Sequence, residues 1–363
     1  MKLIDLHELF PRVKFYVGVE VDKIPLLTGK IFLHRPSYIA NKKYFDELKF
    51  SQNRRRYKGK KLKVVVVSPI YGGSLPIAEY TQRAFKELGH DVVYIDNGVF
   101  YPVYKEVDTK LYNEEFAHIV HLRFAKFLEE LVVARCIEAR PDIVIAVAQA
   151  PIGKEGYKKL RGAGIPTAFW FVEDYLLMNY WRSIVKFVDY FFVIQKENEF
   201  ITQLREIGIK NYHYLPCGCD PSIHRKLRLT KKEKEEYGSD VSFVGAGYYN
   251  RRNVFVNLLD FDFKIWGTDW DMDSPLRKII QRNGARLSPE EYIKVFNATK
   301  ININLHSSVN HPTINPDGDY LNPRTFELAS ACAFQLVDER KYLHELFDKD
   351  EIVKLFTNQA EEN

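Results

Sequence analysis

Val64-Val65-Val66-Val67-Ser68 is the stretch that decides the fold class of this chain. A short run of β-branched apolar residues is typical of a strand that is buried on both faces of a parallel sheet. Residues 69–73 then interrupt the strand. The apolar positions of 77–88 have the spacing of a helix that ends at Gly89. A second strand is predicted at 92–96, so this segment is one strand–helix–strand unit.

The same alternation continues along the chain, stops, and starts again. Strands are predicted at 143–147, 167–172, 190–194 and 212–215, with helical segments between them. The alternation stops at Pro216, gives way to a polar, lysine-rich stretch through Ser239, and restarts with a strand at 240–245. Further strands are predicted near 263–266, 301–305, 334–337 and 352–356, and helices near 289–298 and 323–331. Strands that alternate with helices in this way indicate parallel, doubly wound sheets.

The two series of alternating strands and helices predict two domains. The length of 363 residues agrees, because it exceeds what one hydrophobic core usually supports. We predict an N-terminal extension at 1–60, a first α/β domain at 61–218 and a second at 219–363. The expected fold class is α/β, with two Rossmann-like domains that face each other across a cleft. Ligands of open α/β sheets bind at the carboxyl ends of the strands, so motifs at those positions matter most.

The composition is that of a globular protein, with 46% hydrophobic and 28% charged residues. No apolar run reaches the roughly 18–20 residues of a membrane span, and the start lacks the pattern of a secretory signal. We therefore expect no transmembrane segment and a cytoplasmic location. Basic residues concentrate at 41–63 and 225–234, either as solvated connectors or as contacts with an acidic partner or membrane surface. Nucleic-acid binding is not predicted, because neither stretch carries a recognisable binding module.

The first candidate site follows the strand at 240–245. Gly245 and Gly247 form a Gly-x-Gly turn in which backbone N–H groups can approach an anion, and Arg251 and Arg252 can add contacts to phosphates. The alternative is a tight strand–helix turn with surface arginines. Asn250 stands where the dinucleotide-binding fingerprint has its third glycine, so that fingerprint is incomplete.

The second candidate site is the helix start after Asp319. Asn322 precedes a proline that suits the first helical position, so Arg324 and Thr325 lie in a first turn whose free N–H groups attract phosphate. Glu327 lies about one turn further on, where its carboxylate can accept hydrogen bonds from ribose hydroxyls. The alternative is a capped surface helix with an acid near its start.

Three further positions lie at predicted strand ends. Gly72 and Gly73 would bring the backbone close to a substrate or to a donor phosphate, or form a simple turn. Glu173 or Asp174 could act as the general base that takes the proton of an acceptor, or cap the next segment. His306 could contact a donor sugar or phosphate, or be a packing residue.

A metal site is not predicted. The stretch that contains His213, Cys217, Cys219 and His224 fits no common structural zinc spacing. No Asp-x-Asp motif stands at a strand end, so a donor site that depends on a divalent cation is not expected either. Four cysteines in a chain of this length are too few for a disulfide framework.

Segments of the second domain, in their order and spacing, resemble the CgeB-type (spore-maturation-protein) glycosyltransferases. The segments are 240–247, 251–252, 264–267, 301–306 and 322–338. The resemblance covers most of 240–357, whereas 64–216 resembles only a generic first domain of glycosyltransferases with the GT-B fold. It therefore implies that fold for the whole chain.

The resemblance also implies a nucleotide-diphosphate-sugar donor. The arginines of the glycine turn and the helix start at Arg324 and Thr325 would bind the diphosphate, and Glu327 would bind the ribose. Retaining GT-B enzymes often carry two acids separated by seven residues, and Asp319 and Glu327 have that separation.

These observations predict a metal-independent glycosyltransferase. It would move a sugar from a nucleotide-diphosphate-sugar donor, expected to be a UDP-sugar, to an unidentified acceptor such as a protein or a cell-surface glycan. No cofactor is expected besides this donor substrate. Two alternatives share the two-domain frame, namely a nucleotide-sugar epimerase and a catalytically silent scaffold that binds nucleotide sugars.

Overall fold

A computed structural model describes residues 60–308, 310–315 and 318–347. The predicted extension at 1–60, apart from Lys60, and the predicted strand at 352–356 lie outside the described residues. Each of the other predicted strands is found in the structure.

The first domain is built on a six-stranded sheet. Its strands are β1 (Lys63–Val67), β2 (Asp91–Ile95), β3 (Ile143–Val147), β4 (Thr167–Phe171), β5 (Tyr190–Val193) and β6 (Tyr212–Tyr214). They are all parallel, in the order β2-β1-β3-β4-β5-β6. The four valines of β1 are fully buried, which confirms that this strand is covered on both faces.

In the described part of the chain, six α-helices lie between these strands along the sequence. They are α1 (Ser74–Glu87), α2 (Tyr101–Lys110), α3 (Glu114–Ala139), α4 (Lys154–Gly162), α5 (Trp181–Ile184) and α6 (Asn198–Glu206). Apolar side chains of α3, α4, α5 and α6 form one core with the sheet. Helix α1 contributes Ile77 and Ala78 to a second cluster, which also contains Tyr320 of the other domain.

The second domain has a four-stranded parallel sheet in the described part of the chain. Its strands are β7 (Val241–Val244), β8 (Phe263–Trp266), β9 (Ile301–Asn304) and β10 (Gln335–Val337), in the order β10-β9-β7-β8. Its helices are α7 (Lys231–Tyr237), α8 (Tyr249–Phe255), α9 (Pro289–Ala298), α10 (Pro323–Ser330) and α11 (Leu343–Leu346). Three apolar clusters form its core in the described residues.

Part of the lysine-rich stretch, expected to be a polar connector, is helical. Thr230 and Glu233 form a capping box that starts α7. The helix packs beside α9, where Lys294 pairs with Glu233 at 3.0 Å. Lysine and glutamate also have high helix propensity, so the residues that follow the capping box favour a continued helix.

The two domains face each other at the carboxyl ends of their strands. Asp319 of the second domain accepts a hydrogen bond from the Lys196 N–H after β5, at 2.6 Å. Arg286 Nη2 donates to the Gly72 carbonyl after β1, at 2.9 Å. The predicted pair of Rossmann-like domains across a cleft is therefore confirmed. Among the described residues, we find no helix with the length and apolar character needed to cross a bilayer.

Candidate functional site

The glycine turn after β7 is tightly packed. A Cβ atom at Gly247 would lie 2.6 Å from the Asp269 carbonyl oxygen, so a larger residue would displace backbone. Arg251 is buried behind the turn, and it donates to the Ala246 and Leu305 carbonyls, both at 2.9 Å. Arg251 therefore ties the turn to the end of β9, in a structural role that the sequence did not reveal.

Arg252 lies on the open side of the same turn. Its Nη2 donates to the Asp269 carbonyl at 3.0 Å, and the side chain is largely exposed. It lines a cavity of about 350 Å³ together with residues 246–249 and Asp269. Of the two arginines proposed for a diphosphate, Arg252 is the one that this cavity can use.

The helix start at α10 is held by its own side chains. Asn322 Oδ1 accepts the Thr325 N–H at 3.1 Å, and Asn322 Nδ2 donates to Asn304 Oδ1 at 2.9 Å. Thr325 is fully buried, and its hydroxyl accepts a hydrogen bond from Asn304 Nδ2 at 2.9 Å. Asn322 and Thr325 thus anchor the helix to β9, and the Arg324 side chain remains 20% exposed.

His306 joins the two candidate segments. Its Nδ1 lies 2.7 Å from the Asp338 carboxylate, and its Nε2 accepts the Asn322 N–H at 3.0 Å. With Nε2 as acceptor, the neutral ring carries its proton on Nδ1, and burial lowers the pKa of this histidine. Both ring nitrogens are engaged, so His306 positions the helix start and offers no free nitrogen to a donor in this structure.

Glu327 is buried, and both of its carboxylate oxygens have partners. One carboxylate oxygen forms an ion pair with Arg324, and the other accepts the Tyr292 hydroxyl at 3.3 Å. The Arg324 guanidinium lies over the Tyr292 ring, 4.5 Å from its centroid. Glu327 is 5% exposed, so little of its carboxylate is open to solvent in this structure.

The turn after β1 lies at the facing edge of the first domain. Gly72 has φ +97°, a left-handed conformation that favours glycine, and its carbonyl accepts the bond from Arg286. Gly73 directly precedes α1, and the helix has no side-chain cap there. The turn therefore meets the second domain through the Gly72 carbonyl.

Glu173 and Asp174 follow β4 at the same edge. The Tyr180 hydroxyl donates to Glu173 Oε2 at 2.7 Å and accepts the Gln149 N–H at 2.8 Å. Asp174 Oδ1 accepts the Leu176 N–H at 2.9 Å. Burial raises the pKa of both carboxyl groups above the ordinary value, which brings them closer to that of an effective general base.

Asp319 does not lie on the glycine-turn cavity but at the contact between the domains. It is 1% exposed and faces Glu197, which follows Lys196 in the first domain. Burial, together with the neighbouring Asp319 carboxylate, raises the pKa of Glu197 to about 7. The sequence alone did not indicate Glu197, because no local motif marks Asp319 as its partner. The two residues are 122 positions apart along the chain.

Glu197→Gln is expected to remove a pH dependence of folding stability. A folded-state pKa above the unfolded value means that the folded protein holds a proton that the unfolded chain releases. The free energy of unfolding of the native protein should therefore fall as pH rises from about 4.5 to about 7, by about 1–2 kcal/mol after allowance for partial exposure. Urea unfolding at pH 4.5, 6 and 8 measures this.

The Glu197→Gln variant should show a flatter pH profile and be more stable than the native protein at pH 8. Glu199→Gln, an exposed neighbour on α6, is the matched control and should keep the native profile. A native slope in Glu197→Gln would contradict the assignment.

Part of the second domain is similar to a known protein family. Residues 251–362 match a protein-family model described as glycosyl transferase-like. The matched residues lie within the second domain. The match includes Arg251, Arg252 and the whole α10 segment, whereas Gly72, Gly73, Glu173 and Asp174 lie outside it.

The spore protein CgeB of Bacillus subtilis (strain 168) is 27% identical over 213 residues. The alignment covers 56% of this chain and 65% of CgeB, so the chain spans less than two thirds of that relative. The resemblance to CgeB-type proteins is confirmed.

The solved structures that are similar to this chain have low sequence identity to it. A glycosyltransferase from Rickettsia africae ESF-5 has a TM-score of 0.46 at 14% identity, covering 80% of this chain and 82% of its own. A sucrose-phosphate synthase from Thermosynechococcus elongatus has a TM-score of 0.44 at 8% identity, covering 79% and 83%. A UDP-GlcNAc 2-epimerase from Methanocaldococcus jannaschii has a TM-score of 0.45 at 10% identity, covering 78% and 86%.

Proposed function

We propose that this protein transfers a sugar from a nucleotide-diphosphate-sugar donor, expected to be a UDP-sugar, to an acceptor hydroxyl. The observation that carries the proposal is the cavity at the glycine turn, because two of its lining residues, Arg252 and Asp269, belong to the segment that matches a glycosyl transferase-like family model. The exposed Arg252 guanidinium beside this cavity suits a diphosphate. The N–H groups of Gly245, Gly247 and Tyr248, which the sequence suggested for the same anion, already donate to protein carbonyls.

The donor roles are distributed around the carboxyl ends of β7 and β9. Arg252 and Arg324 would contact the diphosphate, and Glu327 would accept hydrogen bonds from the ribose hydroxyls. Arg251, Asn322, Thr325 and His306 support this site by holding the glycine turn and the α10 start against β9. The Gly72–Gly73 turn would approach the donor or substrate from the other side of the cleft.

The chemical step needs a base on the acceptor side. Glu173 or Asp174 would take the proton of the acceptor hydroxyl as its oxygen bonds to the anomeric carbon of the sugar. The bond from that carbon to the diphosphate oxygen breaks, and the diphosphate leaves with the bonding electron pair. The negative charge of the leaving group would be stabilised by Arg252 and Arg324. The acceptor class proposed is a protein or a glycan that carries a free hydroxyl.

Uridine diphosphate is expected to bind without added metal, because the two guanidinium groups neutralise its charge. Calorimetric titration of the full chain in EDTA, with and without a later excess of magnesium, measures this. Similar dissociation constants in both conditions are the predicted result. Binding that requires magnesium would contradict the metal-independent donor site.

A further inference from the structure

The Tyr292 hydroxyl is the meeting point of three other polar side chains. It lies 2.8 Å from His224 Nε2, 3.0 Å from the Tyr80 hydroxyl and 3.3 Å from Glu327 Oε1. We call these four residues the Tyr292 network. Each of them is at most 8% exposed, so solvent does not compete for these contacts.

The direction of each hydrogen bond in the Tyr292 network follows from its chemistry. His224 Nδ1 accepts the Asp220 N–H at 3.1 Å, so the neutral ring carries its proton on Nε2 and donates to Tyr292. Burial lowers the pKa of His224, which favours that neutral ring. The Glu327 carboxylate can only accept, so it takes the single Tyr292 proton, and Tyr80 must then be the donor to Tyr292.

The network joins three separate parts of the chain. Tyr80 belongs to α1 in the first domain, His224 to the stretch between β6 and α7, and Tyr292 to α9 in the second domain. We infer that Tyr292 is a positioning residue for the Glu327 carboxylate, and that Tyr80 completes this positioning across the domain contact. The inference rests on the proposed function, in which Glu327 binds the ribose of the donor.

Positioning by Tyr292 follows from how the Glu327 carboxylate is held. One oxygen is fixed by Arg324 and the other by Tyr292, which leaves the outer lone pairs in a defined orientation. Donation from Tyr80 and His224 polarises the Tyr292 hydroxyl and strengthens its bond to the carboxylate. The first domain thereby contributes to donor affinity with a residue that does not touch the donor.

Nucleotide affinity in a double-mutant cycle tests this inference. The full-length native chain, Tyr80→Phe, Tyr292→Phe and the double variant are titrated with UDP in a calorimeter. We expect Tyr292→Phe to weaken UDP binding by about tenfold and Tyr80→Phe by about threefold to tenfold. Because Tyr80 acts through Tyr292, the double variant should bind no more weakly than Tyr292→Phe alone.

Tyr112→Phe makes the same chemical change at a fully exposed position of the first domain and should bind UDP as the native chain does. Thermal unfolding of each variant checks that the fold is kept. Native affinity in Tyr80→Phe, or additive losses in the double variant, would overturn the coupling while leaving the proposed function intact. Failure of the native chain to bind any nucleoside diphosphate would overturn the proposed function and the inference together.

Discussion

Glu173→Gln is expected to lower turnover by about 10²–10⁴-fold while leaving donor affinity nearly unchanged. The Glu173 carboxylate lies at the facing edge of the first domain, is held by the Tyr180 hydroxyl, and has a pKa that burial raises. Release of nucleoside diphosphate gives the turnover, and calorimetry on the same variant gives the donor dissociation constant.

Asp174 is the second candidate for the base, and Asp174→Asn separates the two. Asparagine keeps an acceptor for the Leu176 N–H, so the turn after β4 is preserved while the charge is removed. The variant that loses turnover identifies the base, and Glu155→Gln, an exposed acid on α4, is the control. Native turnover in both Glu173→Gln and Asp174→Asn would show that neither group is the base.

The pH profile provides an independent check on Glu173. A base with a raised pKa works only above that value, so turnover should fall as the pH drops through it. The Tyr180 hydrogen bond to the carboxylate lowers this pKa, opposing the effect of burial. Tyr180→Phe should therefore move the acidic limb of the profile to higher pH, and an unchanged limb would count against Glu173.

Glu327→Ala is expected to weaken nucleotide binding by about 30- to 1000-fold. Loss of two hydrogen bonds from ribose hydroxyls to a charged acceptor costs roughly 2–4 kcal/mol. The change also leaves Arg324 without its ion-pair partner, so some loss of stability should accompany it. Calorimetric titration with UDP measures the affinity, and thermal unfolding shows how much of the fold remains.

Glu327→Gln preserves the shape of the side chain and removes its charge, so it should bind UDP more weakly than the native chain but fold more stably than Glu327→Ala. Glu173→Gln is the matched control in the opposite domain and should bind UDP normally. Native affinity in Glu327→Ala would remove the ribose assignment.

Local features of the fold could be predicted because short segments of the sequence determine them. The valine run of β1 and the helical spacing of 77–88 depend only on periodicity, and the structure contains both elements. The helix start after Asn322 follows from a capping residue and a proline, and it too is present. The α7 helix was missed although Thr230 and Glu233 have the spacing of a capping box.

The environment of the candidate residues could not be read from the sequence, because it depends on partners far apart along the chain. Tyr80 and Tyr292 are 212 residues apart, and no local pattern marks either as a contact of the other domain. Arg251 and Arg252 are neighbours with the same chemistry, yet the helical turn buries one and exposes the other. His306 follows a strand as a ligand residue could, but Asp338 and Asn322 use both of its nitrogens.

Release of nucleoside diphosphate from a panel of nucleotide sugars distinguishes a glycosyltransferase from an epimerase and from a silent scaffold. The full chain is incubated in EDTA with UDP-, GDP-, ADP- and TDP-sugars and candidate protein or glycan acceptors, and both products are identified. We expect one donor class to lose its diphosphate while its sugar appears on an acceptor. A changed sugar that remains attached to its nucleotide would indicate an epimerase, and binding of nucleotide sugars without any product would indicate a silent scaffold. Either result would contradict the proposed sugar transfer.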